Sequence, residues 1–427
     1  MRATASPRLR TRFFSRPAAA VALGAYLLLA CSACGAAPAA HNATAVAPSA
    51  PSAPTAPTVP ASCPEIGAGT LGGIAGRIYH EAVAGSIAGE AVHRLRSSTS
   101  LAAAVRSGEA AATASALRSL TLGQIVRVEV LRAGKRLASV GSGVAIAPVT
   151  GTIPGSGGGR FVLSVQTDKT FLQVTKQVTG ADVLLLDGEH RAAGTIGLPA
   201  GVKVPDTGAL TVSGKDYEVS TLTGSAYPSG ALRIAVLVPA AGISCPAVAS
   251  QTRAAVLGKV GERIYEEEAH SPYVAATVRR MENTAAFRSA VAAHDVAATR
   301  KAIIGFFAAH IHVVRVRVTV NGKLLYDLGG PHVLAPVQGT LREGSKVVGR
   351  FLMAIQDDAG YLRLAQLFTG AQVLMRTGAE QVAGTLSPGP SSVPNRGTVT
   401  YRGHTYQAFS FTGTAFPSGP LRISLLF

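Results

Sequence analysis

Hydrophobic positions along this chain follow two different periods, first helical and then alternating. Val256, Val260 and Ile264 recur at helical spacing, which predicts one face of a long helix. Over Val314–Val320 the pattern alternates Val with Arg or Thr, which predicts a strand, and Asn321-Gly322 after it is the favoured two-residue hairpin turn. The chain is therefore expected to build a long helix followed by an antiparallel sheet.

The same order of motifs occurs a second time along the chain. Ser62-Cys63-Pro64 recurs as Ser244-Cys245-Pro246, and Arg77-Ile78-Tyr79 recurs as Arg263-Ile264-Tyr265. Further pairs continue to the last predicted strand, and the offset between partners drifts only from 182 to 190 residues. Such self-similarity indicates a tandem duplication. The predicted boundaries are 63–240 for the first copy and 241–427 for the second.

The fold class predicted for each copy is α+β. Two tandem domains are expected, each a long N-terminal helix packed on an antiparallel sheet of five to six strands. A short inserted helix is expected to begin at Asp358, whose carboxylate is well placed to cap it. Tyr79 and Tyr265 are expected to pack on the sheet. Arg77 and Arg263 are then expected to be solvated, because residues two apart on a helix do not share a face.

The N-terminus has the organisation of a secretory signal peptide. Residues 1–30 join an arginine-rich start to an apolar run that ends at Leu28-Leu29-Ala30-Cys31. This ending resembles the lipobox of bacterial lipoproteins, which implies that Cys31 becomes the lipidated first residue of the mature chain. Ordinary secretion is the alternative. Residues 31–62 are rich in Ala, Pro, Thr and Ser, which is typical of a tether.

Composition and charge exclude some classes of protein. The chain has 427 residues, 47% of them hydrophobic and 15% charged. Past residue 30 it has no uncharged apolar run of about 18 residues, so a polytopic membrane protein is excluded. The net charge is +17, and five arginines within residues 1–30 leave +12 for the remainder. No basic run is present, so nucleic acid is not a predicted partner.

Each copy begins with a Ser-Cys-Pro motif. In a chain exported to an oxidising compartment, the equivalent positions Cys63 and Cys245 predict one disulfide between the copies. Two unpaired buried thiols, or the pairing of either cysteine with Cys34, are the alternatives at this point.

Sequence motifs for catalysis are missing. The chain contains no G-x-S-x-G, H-E-x-x-H or G-x-x-x-x-G-K-[ST] motif, so it is not predicted to be an enzyme. His310 and His312 would share one face of a strand, but no third metal ligand accompanies them. Neither a metal nor a cofactor is therefore predicted.

The order of elements resembles the Cache domains, which are PAS-like extracytoplasmic sensor modules. The resemblance rests on Ile311–Val320 with Asn321–Asp327 behind it, and on Val348–Phe351 running into Ile355–Asp358. It implies a sensor protein on the extracytoplasmic face of the bacterial cell membrane, held there by its lipid anchor. Such a protein would bind a small molecule and pass a signal to a membrane partner.

The second copy has more polar and aromatic residues around the inferred pocket than the first. The candidate ligand-binding residues are Arg315, Tyr326, Asp327, His332, Gln356, Asp357 and Tyr361. A small polar ligand is therefore expected mainly in this copy, with an arginine to pair an anionic group. The alternative is a structural or protein-interaction lipoprotein of the cell envelope without a small-molecule ligand.

Overall fold

A computed structural model describes residues 62–121, 125–199, 201–243, 245–246, 248–309, 312–416 and 419–427. The predicted signal peptide, the lipidation site Cys31 and the tether up to residue 61 lie outside these residues, and so does His310. Within them, one series of helices and strands occurs twice along the chain.

The first copy opens with helices and continues into strands. The helices are α1 (Cys63–Ala84), α2 (Ser86–Ser97), α3 (Thr99–Ser107) and α4 (Ala110–Leu120). The strands that follow are β1 (Arg127–Arg132), β2 (Lys135–Gly141), β3 (Ala145–Ile146), β4 (Val149–Thr152), β5 (Gly159–Ser164) and β6 (Gln166–Thr167). Helix α5 (Asp168–Thr179) then leads into β7 (Asp182–Asp187), β8 (His190–Gly194), β9 (Thr207–Val212), β10 (Lys215–Tyr227) and β11 (Gly230–Pro239).

The second copy repeats this series. Its helices are α6 (Ala249–His270), α7 (Pro272–Asn283), α8 (Ala285–Ala292) and α9 (Val296–Ala308). They are followed by β12 (Arg315–Val320), β13 (Lys323–Gly329), β14 (Val333–Leu334), β15 (Val337–Glu343), β16 (Lys346–Ala354) and β17 (Gln356–Asp357). Helix α10 (Asp358–Thr369) precedes β18 (Gln372–Thr377), β19 (Glu380–Gly384), β20 (Arg396–Tyr401), β21 (His404–Phe416) and β22 (Gly419–Leu426).

In the described residues each copy contains two antiparallel sheets. The smaller has the order β2-β1-β5-β4 in the first copy and β13-β12-β16-β15 in the second. The larger runs β6-β3-β10-β11-β7-β8 with β9 beside β10, and the second copy repeats this arrangement. The predicted α+β class is confirmed, with a six-stranded path in the larger sheet. The separate smaller sheet was not predicted, because alternation marks a strand without naming its neighbours.

A single hydrophobic core joins the two copies. Helices α1 and α6 pack on each other and on both larger sheets, and they bury Ile74, Ile78, Val260 and Ile264 almost completely. Each such side chain contributes about 1.5–3 kcal/mol to folding. The two smaller sheets form cores of their own with the short helices. We call residues 86–164 the first satellite and residues 272–354 the second satellite.

The predicted disulfide is confirmed. Cys63, the first residue of α1, is bonded to Cys245, which lies a few residues before α6, with 5.6 Å between their Cα atoms. The bridge spans 182 residues of sequence and fixes the starts of the two long helices to each other. The bond fits folding in an oxidising compartment.

Helix α10 begins at Asp358, as predicted, but the residue that caps it is a different one. Its N-cap is Asp357, whose carboxylate accepts a hydrogen bond from the Gly360 backbone N–H at 2.7 Å. Asp358 is the first helical residue instead, and its carboxylate accepts from the N–H of Ala359. The expectation that Asp358 caps the helix was therefore wrong, because the extended backbone required of a cap occurs at Asp357.

Candidate functional site

One arginine of each long helix reaches into the opposite copy. Arg77 of α1 donates a hydrogen bond to the Phe368 carbonyl at 2.8 Å, and Arg263 of α6 donates to the Thr179 carbonyl. Both carbonyls lie in the last turn of a helix, α10 or α5, where unpaired carbonyls and the helix dipole favour a cation. Arg77 is exposed, as expected, although it also makes this contact, whereas Arg263 is only partly exposed.

The tyrosines two residues further on behave as expected. The Tyr79 hydroxyl accepts a hydrogen bond from the Ser225 N–H at 2.8 Å, and the Tyr265 hydroxyl accepts from the Thr414 N–H at 2.6 Å. Both partners belong to the longest strand of the larger sheet in the same copy. The repeated Arg-Ile-Tyr motif thus reaches the other copy with its first residue and the sheet of its own copy with its third.

A cleft of about 550 Å³ lies where the two copies meet, and we call it the inter-copy cleft. The first copy gives it an apolar wall that includes Leu71 and Val238, and Ile243 from the segment that joins the copies extends this wall. The second copy supplies its charged residues and an aromatic ring: Lys259, Glu262, Arg263, Glu266, Arg396 and Phe409. Four of these residues lie on α6 at intervals of three, one and three, which places them on one helix face.

The charges in the inter-copy cleft are partly paired. Lys259 forms an ion pair with Glu262, and the Arg396 guanidinium stacks 3.4 Å from the centre of the Phe409 ring. Burial lowers the pKa of Arg263, although the charges of Glu266 and Glu262 oppose this shift. Within the described residues the Glu266 carboxylate accepts no hydrogen bond, and its residue is exposed. The cleft therefore offers a free carboxylate beside cationic groups and an apolar wall.

Two of the predicted ligand residues, Arg315 and Asp327, meet in the second satellite. Arg315 Nε and Nη2 each lie 2.9 Å from one oxygen of Asp327, and Arg317 Nε lies 2.9 Å from the same carboxylate. Burial opposes ionisation, but the hydrogen bonds and charges of the two arginines outweigh it and lower the pKa of Asp327. Both guanidinium groups also cover the ring of Phe416. The two arginines pair the Asp327 carboxylate, and the cluster as a whole retains one positive charge.

The first copy has a related cluster at the same place. Arg127 lies over the Tyr227 ring at 4.7 Å, and the Tyr227 hydroxyl donates to Glu129. Tyr227 ends β10 as Phe416 ends β21, so in both copies an aromatic residue of the larger sheet meets charged residues of the smaller one. The clusters connect the two sheets of a copy, which is a structural role.

The remaining predicted residues lie apart from one another. Tyr326 is adjacent to Asp327 on β13 but points to the opposite face, where it packs on the core of the second satellite. His332 is half-buried in the loop before β14, and its carbonyl accepts from the Asp358 N–H at 3.4 Å. Asp357 is occupied as the cap of α10.

Gln356 and Tyr361 lie in the interior. Tyr361 is fully buried in the shared core, where its hydroxyl donates to the Gly261 carbonyl at 2.9 Å, and burial raises its pKa. Gln356 is also buried, and its side-chain nitrogen has no hydrogen-bond partner among the described residues; nothing in the structure explains this. The structure thus brings together Arg315 and Asp327 but does not gather all seven predicted residues around one pocket. Their role in ligand binding stays a prediction.

Sequence reasoning missed the charged face of α6, although a signal for it was present. The residues equivalent to Lys259, Glu262 and Glu266 in the first copy are Gly73, Gly76 and His80. At these three positions α1 has two glycines and a histidine, whereas α6 has three charged residues. Helix α6 therefore presents a surface that α1 lacks. Comparing the two copies position by position would have identified these residues.

Two further properties bear on the site. Within the part of the chain that the structure describes, no group of three or more His, Cys, Asp or Glu side chains could hold a metal ion. Among the same residues, no helix has the length and apolar character needed to cross a membrane.

Comparison with known proteins gives little. No family model matches the chain, and no curated protein matches it. Among solved structures, the periplasmic domain of Vibrio cholerae LuxQ is similar over 41% of this chain and 99% of that domain. The sequence identity is 11% and the TM-score is 0.29, so the similarity is too remote to support a function.

Proposed function

We propose that this chain is an extracytoplasmic binding protein of the sensor type, without catalytic activity, that holds a small polar ligand in the inter-copy cleft. The observation that carries this proposal is the charged face of α6 opposite an apolar wall from the other copy. A ligand there would touch both copies at once. Ligand binding would then change the stability of the contact between the two copies, and a signalling partner could detect this change.

The size and chemistry of the cleft support this proposal. Ligand sites typically enclose about 300–1,000 Å³ and combine apolar walls with a few polar groups. The inter-copy cleft has this size, and its charged groups come from the second copy. Glu266 would pair a cationic group of the ligand, whereas Lys259 and Arg396 would attract an anionic one. A small molecule with both kinds of group and an apolar part fits best.

The proposed location rests on separate observations. The disulfide between Cys63 and Cys245 favours an oxidising compartment. The resemblance of residues 28–31 to a lipobox favours a lipid anchor at Cys31, and the Cache resemblance favours a sensor beside a membrane partner. Together they support a protein tethered to the outer face of the bacterial cell membrane.

A thermal-shift screen of the mature protein against small zwitterionic and anionic metabolites tests the proposal. A ligand that raises the melting temperature should lose most of this effect in Lys259→Ala and Glu266→Ala. Arg253→Ala is the matched control, because Arg253 is exposed on the same helix outside the cleft. A shift that all three variants retain, or no shift across the library, would contradict a ligand site in the cleft.

A structural or protein-interaction role is the second candidate. It is favoured by the cluster of Arg315, Arg317 and Asp327, in which the carboxylate is paired within the protein, and by the full burial of Tyr361. In that case Asp327→Ala would lower the melting temperature without changing the response to any metabolite. Binding of a metabolite that is weakened by the cleft variants would exclude this role as the whole function.

A further inference from the structure

The positive charge of the protein is concentrated in its two satellites. The first satellite has nine Lys or Arg residues against three Asp or Glu, and the second has eleven against four, so they carry +6 and +7. Since the chain after residue 30 carries +12, everything outside the satellites is close to neutral. Although the sequence contains no basic run, the two segments that fold as satellites carry almost all of the net charge.

Three basic residues of the second satellite lie at one end of its sheet. Thr319 of β12 pairs with both Leu324 of β13 and Arg350 of β16, while Glu343 pairs with Lys346. The turns at residues 321–322 and 344–345 therefore lie side by side, and we call this edge the hairpin end. Lys323, Lys346 and Arg350 are exposed there and form no ion pair with any described residue.

Two apolar side chains are exposed between these cations. Leu324 is 61% exposed and Val347 is 40% exposed, and each directly follows a lysine at a turn. Asn321 and Gly322 both have positive φ, which is the tight hairpin turn that projects its flanking residues outward. Exposed apolar side chains at a protruding tip cost solvation free energy unless a partner covers them.

We propose that the hairpin end of the second satellite docks on the head groups of an anionic phospholipid membrane, with Leu324 and Val347 entering the interface. Lysine and arginine around an apolar tip are suited to this, because their alkyl stems follow the apolar side chains while the ammonium or guanidinium groups meet phosphate. Each cation near an anionic bilayer surface strengthens binding by about fivefold. The proposal does not depend on a ligand in the inter-copy cleft.

The first satellite provides a comparison inside the same chain. Its equivalent edge also has cations, among them Arg132, Lys135, Arg136 and Arg160. Among its described residues, however, the large exposed apolar side chain is Val144, which lies beyond the opposite end of β2. Charge alone would draw both satellites to a membrane, whereas insertion is specific to the second.

The length of the N-terminal segment permits this orientation. Thirty residues lie between Cys31 and Ser62, and a fully extended chain of that length spans at most about 110 Å. Helix α6, which separates the disulfide from the second satellite, has 22 residues and is about 33 Å long. A protein anchored at Cys31 can therefore still reach the bilayer with the hairpin end.

Tryptophan fluorescence tests the insertion, because the chain contains no Trp. The experiment uses the mature chain with Cys31→Ser, so that no acyl chain contributes. Leu324→Trp should show a blue-shifted emission with vesicles of phosphatidylcholine and phosphatidylglycerol, and no shift with phosphatidylcholine alone. Val144→Trp is the matched control and should not respond. An unchanged emission of Leu324→Trp while the protein is bound to the vesicles would overturn the proposal.

Vesicle cosedimentation tests the contribution of charge with the same Cys31→Ser chain. Lys323→Glu combined with Lys346→Glu should weaken binding to phosphatidylglycerol vesicles by at least about tenfold. Lys135→Glu combined with Arg136→Glu makes the same change in net charge on the first satellite and should weaken binding less. An equal loss in both double variants, or binding to a soluble polyphosphate but not to vesicles, would overturn a membrane surface at the hairpin end.

Discussion

At the scale of single residues, one buried carboxyl distinguishes the second copy from the first. Glu268, two residues before the end of α6, is only 3% exposed, whereas the equivalent residue of α1 is the small and equally buried Ala82. Burial, with a contribution from the charge of Glu267, raises the pKa of Glu268 to about 8. No Lys, Arg or His among the described residues forms an ion pair with it. The carboxyl is therefore uncharged at neutral pH.

This shift predicts a pH-dependent stability. Since the folded protein retains a proton on Glu268 that the unfolded chain releases above its ordinary pKa of 4.5, stability falls as the pH rises from about 4.5 to about 8. Glu268→Gln should remove this loss and should raise the melting temperature more at about pH 8.5 than at about pH 5. Thermal unfolding at both pH values measures the change in melting temperature, and Glu380→Gln at an exposed position is the control. Equal effects at the two pH values would contradict it.

The sequence predicted some residue roles but not others. Arg315 and Asp327 could be expected to lie near each other, because both belong to the strands of a predicted hairpin. The pairing of the Asp327 carboxylate within the protein could not be predicted. It depends on Arg317 and on Phe416, which is some 90 residues further along the chain. Tyr361 was expected in a pocket but lies in the core, because the shared core of two copies buries a face that a single copy would expose.

At the scale of elements, the long helices approach the larger sheets through small residues. A side chain at Gly258 would overlap the Phe409 ring, and one at Gly72, the equivalent position of α1, would meet the Ser220 hydroxyl. By contrast, a Cβ at Gly73 would meet nothing within 4 Å. Helix α6 therefore lies close to β21 because Gly258 has no side chain.

This contrast predicts opposite effects for two Gly→Ala substitutions. Gly258→Ala should lower the free energy of unfolding by about 1–3 kcal/mol, because the added methyl group must displace Phe409. Gly73→Ala should raise it by about 0.5–1 kcal/mol, because alanine restricts the unfolded chain and fits an exposed helical position. Urea denaturation of both variants measures the difference. A stabilising Gly258→Ala would mean that α6 is not held this close to the sheet.

The elements were largely predictable, but their assembly was not. The turn at Asn321-Gly322 and the helix starting at Asp358 follow directly from local residue preferences. The division of each copy into two sheets depends instead on contacts between distant strands, such as β14 with β21. No local pattern encodes such a pairing, because a strand shows which face is apolar and not which strand lies beside it.

At the scale of the whole molecule, the disulfide between Cys63 and Cys245 is the covalent connection that closes the first copy into a loop. For a loop of 182 residues, the restriction of the unfolded chain contributes about 3–5 kcal/mol. Cys63→Ser with Cys245→Ser should therefore lower the free energy of unfolding by this amount. Chemical denaturation measures it, with Cys34→Ser as the control that should leave the stability unchanged. Peptide mapping that finds both cysteines as free thiols would contradict the bridge.

The reciprocal contacts of Arg77 and Arg263 give the two copies the arrangement of a symmetric dimer. Each copy gives the other the same contact that it receives, which is how the two subunits of a symmetric homodimer interact. When the two subunits are joined in one chain, they associate at any protein concentration. Each molecule then always contains one first copy and one second copy. Its halves are thus free to change separately. The glycines of α1 and the charges of α6 are a difference of this kind, so the two halves of the contact are no longer equivalent.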